Sequence, residues 1–94
     1  MSLRFEWDRD KATTNERKHG VTFAEASTAF RDPHSVSVPD PDHSAREARW
    51  LLLGVSKVGR LLVVAHTERG DAIRIVTARS ATRRERKLYE EDEA

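Results

Sequence analysis

The stretch RWLLLGVSKVGRLLVVAHTERGDAIRIVTAR, residues 49–79, decides the fold. Runs rich in Leu, Val and Ile are broken twice by short glycine-containing segments, which reads as three strands at about Arg49–Ser56, Arg60–Glu68 and Ala72–Arg79. The breaks, Lys57-Val58-Gly59 and Arg69-Gly70-Asp71, are too short for anything but hairpins, so the three strands are antiparallel neighbours. With two-residue turns at Val58-Gly59 and Gly70-Asp71, alternation sorts the side chains by face. One face then collects Leu51, Leu53, Val55, Leu62, Val64, Ile73 and Ile75, the bulky side expected to meet helices. Arg49, His66, Glu68 and Arg79 lie toward its edge. The other face holds Trp50, Leu52, Gly54, Val63, Ala65, Thr67, Arg74, Val76 and Ala78, and is the shallower one.

Outward from this core the chain is helical on both sides. Upstream, Leu3–Trp7 alternates as a short strand, and Asp8 can cap a helix that runs to His19 and stops at Gly20. Thr22-Phe23-Ala24-Glu25 has capping-box spacing and opens a second helix to about Phe30, ended by Asp32-Pro33. A weak strand at Ser35–Val38 follows, then a proline- and acid-rich loop, Pro39-Asp40-Pro41-Asp42-His43-Ser44. Downstream, Thr82-Arg83-Arg84-Glu85 is another capping box, opening a terminal helix with Leu88 and Tyr89. The order β-α-α-β-β-β-β-α predicts one α+β domain over residues 1–94. It is an antiparallel sheet with two N-terminal helices and one C-terminal helix segregated at one face.

Composition narrows the chemistry. The chain has 94 residues, a net charge of +1 and no cysteine, so disulfides, thiolate metal sites and thiol catalysis are excluded together. No apolar run approaches the ~18 residues of a membrane span, and no signal segment opens the chain, which leads to the expectation of a soluble cytoplasmic protein without membrane contact. The four histidines, His19, His34, His43 and His66, lack metal-ligand spacing; there is no phosphate loop and no serine elbow, so no cofactor is expected.

The remaining candidates are cationic. Asn15-Glu16-Arg17-Lys18-His19-Gly20 places Lys18 and His19 in a last helical turn, where cations suit the helix dipole whether or not they also work in a site. Arg74 stands between Ile73 and Ile75 and needs either an anionic partner such as Glu68 or an open face. His66 reads as a half-buried ring or a base. Arg79, Arg83, Arg84, Arg86 and Lys87 form a basic block around the single acid Glu85, either a solvated helix face or a focused anionic contact.

Several of these residues fall into one pattern. Phe5-Glu6-Trp7-Asp8, Lys11, Asn15, Lys18-His19-Gly20, Val21-Thr22-Phe23 and Glu25-Ala26 resemble the opening signature of the BrnT toxins. Asp32-Pro33, Asp42-His43-Ser44, Arg60, Thr67-Glu68-Arg69, Ile73-Arg74-Ile75, Ala78-Arg79, Ala81–Arg86 and Tyr89-Glu90 continue the likeness in order across nearly the whole chain. The resemblance implies a RelE-like fold and a ribonuclease toxin of a type II toxin–antitoxin pair. Its partner would be a BrnA-type antitoxin with a ribbon-helix-helix domain, which alone would contact DNA and would autoregulate the operon jointly with the toxin.

On that reading RNA is cut without metal. Arg74 and Arg79 clamp the phosphate, Lys18 and His19 enter from the helix end, and His19 or Glu68 exchanges protons. Arg83 and Arg84 hold the RNA backbone near the amino end of the last helix. Three rivals stay open: a non-catalytic nucleic-acid-binding module, a gyrase poison on the same scaffold, and a structural partner whose charges only bind an acidic protein.

Overall fold

The computed structural model describes residues 3–42 and 47–93; His43 and Ser44 of the acidic loop lie outside them. The elements are β1 (Arg4–Glu6), α1 (Arg9–His19), α2 (Phe23–Thr28) with a 3₁₀ turn at Ala29–Arg31, β2 (Val36–Pro39), β3 (Arg49–Val55), β4 (Leu61–Arg69), β5 (Ala72–Ser80) and α3 (Arg83–Glu93). Five strands form one sheet in the order β1-β5-β4-β3-β2. The predicted antiparallel sheet is therefore mixed, because β1 pairs with β5 in parallel, Phe5 opposite Ile73. No local turn joins those two strands, so nothing near either one in the sequence announces the pairing.

The helix boundaries follow their caps. Asp8 accepts the Lys11 amide at 3.0 Å, and Gly20 ends α1 at φ 70°, a left-handed conformation that costs glycine little. At α2 only half of the capping box forms: Thr22 Oγ1 accepts the Glu25 amide, while the Glu25 carboxylate turns away to Ser56 and Arg60. At α3 the box is reciprocal, Thr82 N–H donating to Glu85 Oε1 at 2.9 Å and Glu85 N–H to Thr82 Oγ1 at 3.2 Å.

The hairpins decide which side chains are buried. Gly70-Asp71 is a two-residue turn, with Arg69 opposite Ala72. The β3–β4 connection is longer: Val55 pairs with Leu61, leaving Ser56–Arg60 as the loop. This one-residue slip from the predicted register inverts β3. Leu52, not Leu51, Leu53 or Val55, joins Leu62, Val64 and Ile75 against Val21, Phe23, Ala26 and Ala29 of the α1–α2 layer. Burying each large side chain of this cluster contributes about 1.5–3 kcal/mol. Gly54 also faces the helices, and a Cβ there would come within 2.8 Å of the Ala29 carbonyl oxygen, so the 3₁₀ turn rests directly on bare backbone. The helices are not all on one face. Leu88 of α3 lies beside Leu51, Leu53 and Val63 on the opposite side.

Helix α1 has almost no apolar face, only Ala12 packing on the core, so burial of nonpolar area does not hold it. Asn15 does. Its side chain is 6% exposed, donates to the carbonyls of Ala78 (2.8 Å) and Val21 (3.0 Å), and accepts the Ala78 amide at 3.1 Å. Strand β1 pairs only with Ala72–Arg74, so one asparagine closes the β5 edge beyond it.

Candidate functional site

Because Asn15 holds α1 edge-on to β5, a cleft of about 450 Å³ opens between the helix and the sheet. Its helical wall is the i, i+4 stripe Asp10/Lys11, Thr14/Asn15 and Lys18/His19. The sheet wall is Val76 and Thr77 of β5 with Arg49 reaching across from β3. Lys11, Lys18 and Arg49, with His19, face one acid, Asp10, so the lining is net cationic and suits an anion.

A bulge shapes the sheet wall. His66 pairs with Ile75 but Ala65 with Thr77, leaving Val76 as an extra residue in β5. In a regular strand Arg74 and Arg79, five residues apart, point to opposite faces. Here Arg74 sits opposite Thr67 and Arg79 opposite Val63, so both, with Thr77 between them, share the face onto which the cleft opens. Arg49, opposite Thr67, lies on that face too, as a consequence of the slipped register.

Neither arginine of β5 is without a carboxylate. Arg74 Nη1 donates to Glu6 Oε2 at 2.9 Å, so its partner is Glu6 of β1 and not Glu68. Arg79 grips Glu85 at two points, 2.8 Å each, and also donates to the Ser80 carbonyl. The Arg79 guanidinium, aided by the Thr82 amide and opposed by burial, holds the Glu85 carboxyl down to about 2, and the same contact raises Arg79. An arginine carries five N–H donors, so each pair leaves donors for a second anion.

The other sequence candidates lie elsewhere. Glu68 shares the opposite face with Leu62, Val64 and His66, so it stands apart from Lys18, Arg74 and Arg79. His66 is buried, its Nδ1 3.2 Å from the Val64 carbonyl and its ring edge-on to Phe30 at 4.8 Å; burial lowers its pKa. Arg83 and Arg84 are exposed in the first turn of α3 and do not line the cleft. Conversely, Lys11, Arg49 and Thr77 line it without having been candidates for the site. The stripe from Lys11 to Lys18 was readable from helical spacing, whereas Arg49 depended on the register of a loop.

The sequence profile of the family described as ribonuclease toxin, BrnT, of type II toxin–antitoxin system matches residues 7–85. That span includes α1, all of β2–β5 and the Glu85 that anchors α3. No individually curated protein matches the chain in sequence. Among solved structures, the fold is similar to that of the Brucella abortus ribonuclease toxin BrnT, with a TM-score of 0.64 and 22% identity over 87% of this chain and 100% of that one. That likeness speaks for the fold; the profile, which takes in most of the chain, speaks for the family. The chain belongs to the BrnT family of ribonuclease toxins of type II toxin–antitoxin systems.

Proposed function

We propose that the cleft between α1 and β5 seats one phosphodiester of an RNA strand and that the chain cleaves it without a metal ion, inhibiting translation in the cytoplasm. The observation that carries this reading is the cationic stripe of α1 facing Arg49 across a cleft of phosphate-binding size. His19 takes the proton from the ribose 2′-hydroxyl, whose oxygen attacks phosphorus. His19, now an imidazolium, gives that proton to the departing 5′-oxygen, and a 2′,3′-cyclic phosphate remains. Lys18, Lys11 and Arg49 balance the charge of the phosphorane, a kind of assistance worth about 10²–10³ in rate per donor. Arg74 and Arg79 clamp neighbouring phosphates with the donors their carboxylates leave over, and Arg83 and Arg84 extend the backbone contact along α3. Glu68, on the far face, takes no part in this scheme.

Among the described residues no three His, Asp or Glu side chains gather as a metal site. No helix among them is long and apolar enough to cross a membrane. The scaffold is RelE-like in this reading. A BrnA-type antitoxin neutralises the toxin and makes the complex's contact with DNA.

The test is cleavage of a synthetic RNA oligonucleotide in excess EDTA, beside a DNA strand of the same sequence. Fragments ending in 2′,3′-cyclic phosphate and 5′-hydroxyl are expected from RNA alone. Lys18→Ala and His19→Ala should each slow the reaction by about 10²–10⁴. Salt-sensitive binding with both strands intact would replace the enzyme by a binding module.

A further inference from the structure

The working end of α1 is also held from outside the cleft. Gly20 closes the helix, its N–H donating to the Glu16 carbonyl at 2.8 Å. Arg60 Nη2 donates to the Gly20 carbonyl at 3.0 Å. The same guanidinium engages both oxygens of Glu25, through Nε at 2.9 Å and through Nη2. Glu25 Oε2 also accepts the Ser56 hydroxyl at 2.7 Å, and the Glu25 amide donates to Thr22 Oγ1. One carboxylate thus ties the α1–α2 junction to α2 and to the β3–β4 loop.

On the inner side, Asn15 holds the Val21 carbonyl. The peptide units on the two sides of the α1 stop are therefore fixed by different side chains. A Cβ on Gly20 would meet nothing within 4 Å, so on its outer side the turn is open and held by hydrogen bonds, while Val21 next to it is packed in the core.

We propose that Arg60, oriented by Glu25, is a positioning residue for the cleft: by hooking the Gly20 carbonyl it fixes the last turn of α1 and with it the direction of Lys18 and His19. This rests on the proposed use of those two side chains in RNA cleavage. Arg60 itself touches no reacting atom. A reactive group displaced by about 1 Å loses on the order of 10² in rate with little change in binding, which sets the expected signature.

The experiment compares wild type, Arg60→Ala and Arg60→Lys as full chains, after circular dichroism has shown each to be folded. Cleavage of the RNA oligonucleotide is followed at steady state, and amide hydrogen exchange is mapped residue by residue. Arg60→Ala should lower kcat about 10²-fold with KM within about 2-fold, and speed exchange at residues 17–20 more than at Leu62 or Val64. Arg60→Lys reaches Glu25 or Gly20 but not both at once, and should recover part of kcat. Unchanged kcat in Arg60→Ala beside an active wild type overturns the inference, as does loss divided equally between kcat and KM. Should wild type leave RNA intact, the functional reading fails, and the exchange map still decides whether Arg60 holds the turn: equal protection at residues 17–20 overturns it.

Discussion

Replacing Asn15 with alanine strips three hydrogen bonds from a largely buried site at the floor of the cleft. The Ala78 N–H and C=O and the Val21 C=O lose their side-chain partner, and both residues are 0% exposed. A buried backbone group left unsatisfied costs roughly 1–3 kcal/mol, and water entering the vacated space recovers part of that, so the total is about 3–5 kcal/mol. In a domain whose whole stability is of the order of 5–15 kcal/mol, this is a large fraction. For a chain of this size each kcal/mol shifts Tm by about 4–8 °C, so Tm should fall by at least roughly 12 °C. Urea unfolding followed by far-UV circular dichroism gives the free energy, and an unchanged m-value certifies the same transition. Asn15→Asp should do no better, because a carboxylate cannot donate to either carbonyl. A cooperative Asn15→Ala protein that loses less than about 1 kcal/mol would refute the claim that this side chain, and not apolar packing, docks α1.

Three further outcomes follow from the geometry. Glu85, held down to about 2 by Arg79, adds stability that is complete above the ordinary glutamate value of 4.5 and lost as pH falls toward 2. Glu85→Gln should flatten that acid limb and cost about 1–2 kcal/mol at pH 7 once solvent screening of the half-exposed pair is allowed for, read from urea midpoints across pH. His66 is lowered by burial, with its Val64 contact and Glu68 opposing, so the unfolded chain binds its proton first and stability drops as pH falls below 6.5. His66→Phe should reduce that slope in thermal melts between neutral and mildly acid pH. Gly54→Ala drives a Cβ into the Ala29 carbonyl oxygen at 2.8 Å and should destabilise by about 1–3 kcal/mol, seen as a lower Tm.

Strands and helices were legible because each carries its own local signal: Asp8 and Gly20 bound α1, Thr82 and Glu85 open α3, and Gly70-Asp71 fixes the β4–β5 turn. Facing was harder. Lys57-Val58-Gly59 reads equally well as the middle of a two- or a five-residue loop, and the difference of one residue moved Leu52, Gly54 and Arg49 to the faces opposite those predicted. The bulge at Val76 did the same to Arg79 and Ala78. No residue type marks it, since Ile75-Val76-Thr77 is an ordinary strand tripeptide. Asn15 was visible as a letter in a motif, but its partner Ala78 lies 63 residues away. Lys18 and His19, which line the cleft, stood out in the sequence because a helix end advertises itself. Glu68 was offered as a partner for Arg74 because the parallel pairing that brings Glu6 of β1 to Arg74 leaves no local mark in the sequence.

The parallel pairing of β1 with β5 bears on when during synthesis the molecule takes shape. Glu6 meets Arg74 across 68 residues, so the first strand stays without its neighbour until most of the chain has left the ribosome. Thr77, a wall of the cleft, and Ala78, the anchor for α1, emerge later still. A nascent chain interrupted before that point carries Lys18 and His19 on an undocked helix and has no cleft. Emergence of β5 is thus the step that docks α1 and forms the cleft.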